Sequence, residues 1–113
     1  MNNFINKNIL IDDLLEYNIT FNDEICYSIQ ELKDSIDIKY DNILLNNIKF
    51  HLEIMINEST DYLYSISHNE FESITIKNYI NDLLNAQYKI NDYLLTLNNS
   101  EILSDLMNDI KII

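Results

Sequence analysis

Residues 48–67 read IKFHLEIMINESTDYLYSIS, and whether this stretch is sheet or helix decides the fold. From Ile48 to Ile56 the apolar residues Ile48, Phe50, Leu52, Ile54 and Ile56 alternate with Lys49, His51, Glu53 and Met55. At a helical 100° per residue those five scatter around the wheel, so the period of two predicts a strand over 48–56. The run is rich in β-branched and aromatic residues, and NESTD, residues 57–61, supplies turn chemistry. A returning strand is therefore expected at about 61–67, on YLYSIS. Upstream, SIDIKY alternates Ile36, Ile38 and Tyr40 and closes on Asp41-Asn42, which gives a third strand. The alternative is one helix from 42 to 67, in an all-α helical bundle.

Away from this stretch the period is helical. NNFINKNILIDDLLEY puts Phe4, Ile11 and Leu15 on one face, widened by Leu10 and Leu14, and predicts a helix over about 3–16. Between Asn22, a good N-cap type, and Ile36, the residues Ile25, Ile29, Leu32 and Ile36 recur at steps of four, three and four. Glu24, Tyr27, Glu31 and Asp34 recur on the opposite side. Asp23 and Glu24 sit in the first turn, where they favour the helix dipole. From Ser73 or Thr75 onward, Ile76, Ile80, Leu83, Gln87, Ile90, Leu94 and Leu97 alternate steps of four and three, with Tyr79, Ala86 and Tyr93 as a second stripe. This predicts a long helix within 73–98, which Asn69 and Glu72, as a capping pair, would start earlier. Gln87 either sets register in a homo-oligomer formed through residues 76–97 or sits at the edge of the packed face. After Asn98-Asn99-Ser100, a short final helix is expected to bury Leu103, Leu106 and Ile110, with Ile113 at its end. The expected fold is a single α+β domain over 1–113: two N-terminal helices, a small antiparallel β-meander, a long helix and a short C-terminal helix.

The composition restricts the chemistry. There are 21 Ile and 18 Asn but no Gly, Pro, Val, Arg or Trp, a profile expected of a very AT-rich coding sequence. Without glycine, loops built on Gly-x-Gly or Gly-Lys-Ser/Thr to cradle phosphate are excluded. Without arginine there is no guanidinium clamp for a phosphate transition state. His51 and His68 stand in no metal-ligand spacing, and Cys26, the single cysteine, has no CxxC partner. His68, Glu70 and Glu72 form the nearest approach to a cation site, and an acidic solvated loop accounts for them as well. Neither catalysis nor a cofactor is expected. Cys26 is read as a small buried hydrophobe and points to a reducing cytoplasm, bacterial or in a phage-infected cell. The N-terminal segment carries no signal-peptide pattern, and no apolar run approaches a membrane span.

The charge is more telling. Asp and Glu number 19 against 7 Lys, a net charge of -12. AT-richness would have raised lysine together with asparagine, so the acidity is read as selected. A chain of this charge is repelled by nucleic acid and drawn to basic surfaces. Its acids are also segregated. Asn8 to Leu32 holds Asp12, Asp13, Glu16, Asp23, Glu24 and Glu31 with no lysine; Phe50 to Ile76 holds Glu53, Glu58, Asp61, Glu70 and Glu72, again with none. Glu24 and Glu31 stand about 10 Å apart by helix rise, the scale of a few phosphate steps. Tyr27, Tyr62 and Tyr64 lie among these carboxylates, a composition suited to a basic, aromatic-lined groove. The expected partner-binding residues are thus Glu53, Glu58, Asp61, Tyr62, Tyr64, Glu70 and Glu72, with Glu24, Tyr27, Glu31 and Asp34 as a second set.

The order from Asp23-Glu24-Ile25 through DIKYDN, NNIKFHLEIMIN, DYLYSIS and HNEFESITIKNYINDLL resembles small acidic phage anti-CRISPR proteins with a helix, a three-stranded antiparallel sheet and following helices. The resemblance covers about two thirds of the chain, in element order and acidity, without a shared motif. It implies an inhibitor whose carboxylates block a nucleic-acid-binding groove of a CRISPR effector, by mimicry or steric occlusion. Two other classes fit the same residues: an immunity protein or antitoxin neutralising a nuclease toxin, and a helical interaction module that self-associates.

Overall fold

A computed structural model describes residues 6–66 and 68–112, with side chains as far as Asn98. It contains four helices: α1 (Lys7–Glu16), α2 (Asp23–Asp34), α3 (Ile38–Ser65) and α4 (Glu70–Ile112). Among the described residues there is no strand. The β-meander is therefore overturned, and all three expected strands fall in or beside α3.

The alternation misled for a physical reason. The side chains that α3 buries are Asp41, Leu44, Leu45, Ile48 and Leu52, with Met55 and Ile56 half-buried behind them, a stripe at steps of three and four. Phe50 is 62% exposed and Ile54 is 38% exposed, so two of the five alternating residues face outward. An isoleucine-rich chain places apolar residues on both sides of a helix, and over nine residues the excess imitates a period of two. With 28 residues in α3, the stripe becomes visible only when Asp41 to Leu45 is read together with the quoted stretch.

Local signals hold better at the starts of α2 and α4, whereas α1, expected from about residue 3, begins at Lys7 because Asn6 is extended. Asn6 and Asn22 cap α1 and α2, accepting from the amides of Ile9 and Ile25 at 2.9 Å each. Asn69 accepts from the Glu72 amide at 3.1 Å while its own amide group donates to the Glu72 carboxylate at 3.2 Å, so α4 starts at the earlier of its expected positions. The backbone of α4 runs unbroken through Asn98-Asn99-Ser100, so the separate C-terminal helix is also overturned. Asn and Ser lower helix propensity by only about 0.5 kcal/mol each, and neither Gly nor Pro is present to stop the helix. The expected burial of Leu103, Leu106, Ile110 and Ile113, and the contribution of Phe4, lie outside the described side chains.

The helices pack in a cycle: α1 on α2, α2 on α3, α3 on α4 and α4 back on α1. Leu10, Ile11 and Leu14 of α1, Ile25, Ile29 and Leu32 of α2, the α3 stripe, and Leu83, Ala86, Ile90, Tyr93 and Leu94 of α4 form one core. Each fully buried Leu or Ile contributes about 1.5–3 kcal/mol over leaving it exposed. Several residues expected on packed faces are not in it, and Ile76 and Ile80 of α4 are only half-buried. Leu15 is 52% exposed, and Ile36, beyond the C-cap Ser35, is 99% exposed because α2 has already ended. Cys26 is exposed on α2, its Sγ directed at the Phe21 carbonyl at 3.7 Å.

One ion pair is sealed into this bundle. Lys7 Nζ lies 3.3 Å from Asp41 Oδ2 and also donates to the Ser35 carbonyl, tying the start of α1 to the α2–α3 junction. Asp41 Oδ1 is buried without a hydrogen-bond partner among the described residues.

Candidate partner-binding surface

The expected binding residues fall on two surfaces. On α2, Glu24, Tyr27 and Asp34 are exposed and Glu31 is half-buried, their spacing of three, four and three keeping them on the side opposite Ile25, Ile29 and Leu32. Tyr40, from the first turn of α3, donates to Glu31 at 2.9 Å. That bond, more than the small desolvation and the nearby charges, raises the Tyr40 pKa above its ordinary value. Tyr40 completes a Tyr27–Glu31–Tyr40 patch that sequence reasoning missed. The signal was present in the nine-residue separation, but only the turn between α2 and α3 brings the two side chains together.

The second surface is the corner where α3 turns into α4. Glu58, Asp61, Tyr62 and Tyr64 are exposed on the last two turns of α3; Glu70 is exposed and Glu72 half-buried on the first turn of α4. Tyr62 Oη donates to Glu72 Oε1 at 2.5 Å, bridging the two helices. That hydrogen bond, reinforced by the carboxylate charge, raises the Tyr62 pKa. Beside it Tyr64, 76% exposed, and Glu70 border an open hollow of ≈620 Å³ together with Leu63, His68, Ile74 and Lys77. Among the described residues the corner carries no fully buried apolar side chain: apolar burial stops at Leu52 on α3 and resumes at Leu83 on α4, and between them only Ser73, which donates to the Ile66 carbonyl at 3.1 Å, is buried. It is a two-helix projection whose surface is acidic and tyrosine-bearing.

Glu53 belongs to neither surface. It accepts from Gln87 Nε2 at 3.2 Å on the flank between α3 and α4, where Gln87 also lies 3.4 Å from the Lys49 carbonyl. Gln87 is thus an edge residue of the packed face, as one of its two expected roles had it. Among the described residues no three His, Cys, Asp or Glu side chains gather as a metal-binding group, and His68 with Glu70 and Glu72 does not form one. No helix in the described residues is long and apolar enough to cross a membrane. Comparison with protein-family models, with curated proteins and with solved structures gives no match.

Proposed function

We propose that this protein is an acidic inhibitor that covers the basic, nucleic-acid-binding surface of another protein. The observation that carries the proposal is the α3–α4 corner: four carboxylates, Glu58, Asp61, Glu70 and Glu72, with no lysine from Phe50 to Ile76 and with Tyr62 and Tyr64 among them. A narrow projection of this composition enters a groove that a broad helix face cannot. Desolvated contacts there are worth more than charges on a rim.

The resemblance to anti-CRISPR proteins leaned on a three-stranded sheet, and with that sheet gone its remaining ground is the acidity. A CRISPR effector and a basic nuclease toxin therefore stand as two targets of one chemistry. Competition tests both. A purified effector or toxin loaded with fluorescent nucleic acid is titrated with this protein at low and high salt. Displacement that weakens with salt, and that disappears when Glu58, Asp61 and Glu70 are reversed to lysine, is the expected result. If neither class releases its nucleic acid at micromolar inhibitor, the proposal fails.

A further inference from the structure

We infer that the outer face of α4 pairs antiparallel with the same face of a second copy of this chain. The stripe first expected to mediate self-association, Ile76 to Leu97, is taken up within the molecule, where Leu83, Ile90 and Leu94 are buried. The opposite side of the helix carries a second stripe. Ile74, Lys77, Asn81, Leu84, Tyr88, Asn91 and Leu95 recur at steps of three and four, and all seven are exposed. Four of them are large apolar residues: Ile74 at 54%, Leu84 at 47%, Tyr88 at 72% and Leu95 at 61% exposure. No described residue of α1, α2 or α3 buries this stripe, and its spacing is that of a helix–helix seam.

Charge decides what covers it. On a chain of net charge -12, a second copy is repelled almost everywhere. Residues 73–98 escape that repulsion, because they hold two lysines, Lys77 and Lys89, and two aspartates, Asp82 and Asp92, for no net charge; residues 33–49 balance too, but there Asp41 is engaged within the molecule by Lys7. Lys89 is engaged within the molecule by Asp13 at 2.9 Å, and Asp82 is half-buried with Asn18 and Tyr79 around it, which leaves Lys77 in the stripe and Asp92 beside it, both exposed. In a parallel pair Lys77 would meet Lys77 and Asp92 would meet Asp92. In an antiparallel pair with its two-fold axis near residue 86, each Lys77 stands within about one helical turn of the other copy's Asp92.

The same register packs Leu84 against Tyr88 of the second copy, twice, at the centre, and sets Asn81 opposite Asn91 on either side. It also carries Ile74 of the second copy to the level of Asn98, beside an open hollow of ≈290 Å³ that Asn46, Lys49, Asn91, Leu94, Leu95 and Asn98 line. Hydrophobic, amide and ionic pairings are thus satisfied by one two-fold operation, as an isologous interface requires.

Sedimentation velocity over a concentration series tests this independently of the proposed function. The wild-type chain is expected to dimerise, and more strongly at higher salt, since screening relieves the repulsion between copies; binding to a basic partner has the opposite salt dependence. Leu84→Asp with Tyr88→Asp should weaken dimerisation about a hundredfold with an unchanged circular dichroism spectrum. Lys77→Asp alone should weaken it about tenfold, with Asp92→Lys added to it restoring the loss. A chain that stays monomeric at millimolar concentration overturns the inference. So does a dimer indifferent to Leu84→Asp with Tyr88→Asp, or a Lys77→Asp loss that Asp92→Lys leaves unrepaired.

Discussion

Leu52 and Phe50 are two residues apart, and the fold turns on their difference. Leu52 is 0% exposed and Phe50 is 62% exposed. Leu52→Lys should abolish cooperative unfolding, because an unpaired buried charge costs several kcal/mol against a total stability of about 5–15 kcal/mol. Phe50→Lys should leave the thermal melt nearly unchanged, whereas a strand with both residues inward would lose both variants. Lys7 is the second decisive side chain. Lys7→Met strands the Asp41 carboxylate, already short of one partner at Oδ1, and should cost about 3 kcal/mol by urea titration. Tyr93 sets an alkaline limit. Burial, and then the Asp41 charge, raise its pKa above the ordinary 10.0. The folded state thus holds its proton more tightly than the unfolded state. Its contribution is complete below pH 10 and is lost as pH climbs through the raised value. Melting temperature should fall through this window, and Tyr93→Phe should flatten that fall.

Among the helices, the starts of α2 and α4 were legible and α3 was not. A cap is a contact between residues three apart, so Asn22 with Ile25 and Asn69 with Glu72 could be read directly. Asn22→Ala should cost about 1 kcal/mol in urea, since it frees an amide at the start of α2. The stripe of α2 was equally readable, although its last member, Ile36, lies beyond the helix because the chain turns at Ser35. In α3 the apolar residues exceed what one face can hold, with Ile43 66% exposed and Ile54 38% exposed opposite the buried Leu44, Leu45 and Ile48. Periodicity then has two candidate faces, and a short window selects the wrong period.

At the scale of the molecule, the two lysine-free segments fall on different elements, one on α1 and the α2 face and one at the α3–α4 corner. The α3–α4 corner keeps Glu58, Asp61, Tyr62, Tyr64, Glu70 and Glu72 near one another, while Glu53 is left on a flank with Gln87. The α2 face gains Tyr40 through Glu31. Reversal of Glu58, Asp61 and Glu70 to lysine should remove partner binding without changing the circular dichroism spectrum. Reversal of Glu24, Glu31 and Asp34 should weaken binding less; a greater loss there would move the interface to α2. The free protein should retain no labelled DNA or RNA at physiological salt in a gel-shift assay, since its charge repels phosphate.

Legible from the chain alone were the N-caps at Asn22 and Asn69, the buried faces of α2 and α4, the charge of -12 and the segregation of that charge into lysine-free segments. These depend on neighbours along the chain: a side chain meeting an amide three residues on, or apolar residues returning every three or four. Tertiary structure alone decided that residues 36–67 form no sheet. Isoleucine is too frequent here for its presence to mean burial, and Ile36, Ile43 and Ile74 are all more than half exposed. The helices flanking α3 select which of its apolar residues turn inward: α2 packs along one side and α4 along the other, and between them only Leu44, Leu45, Ile48 and Leu52 leave water. Burial is a property of that packing, which no single stretch of the chain contains.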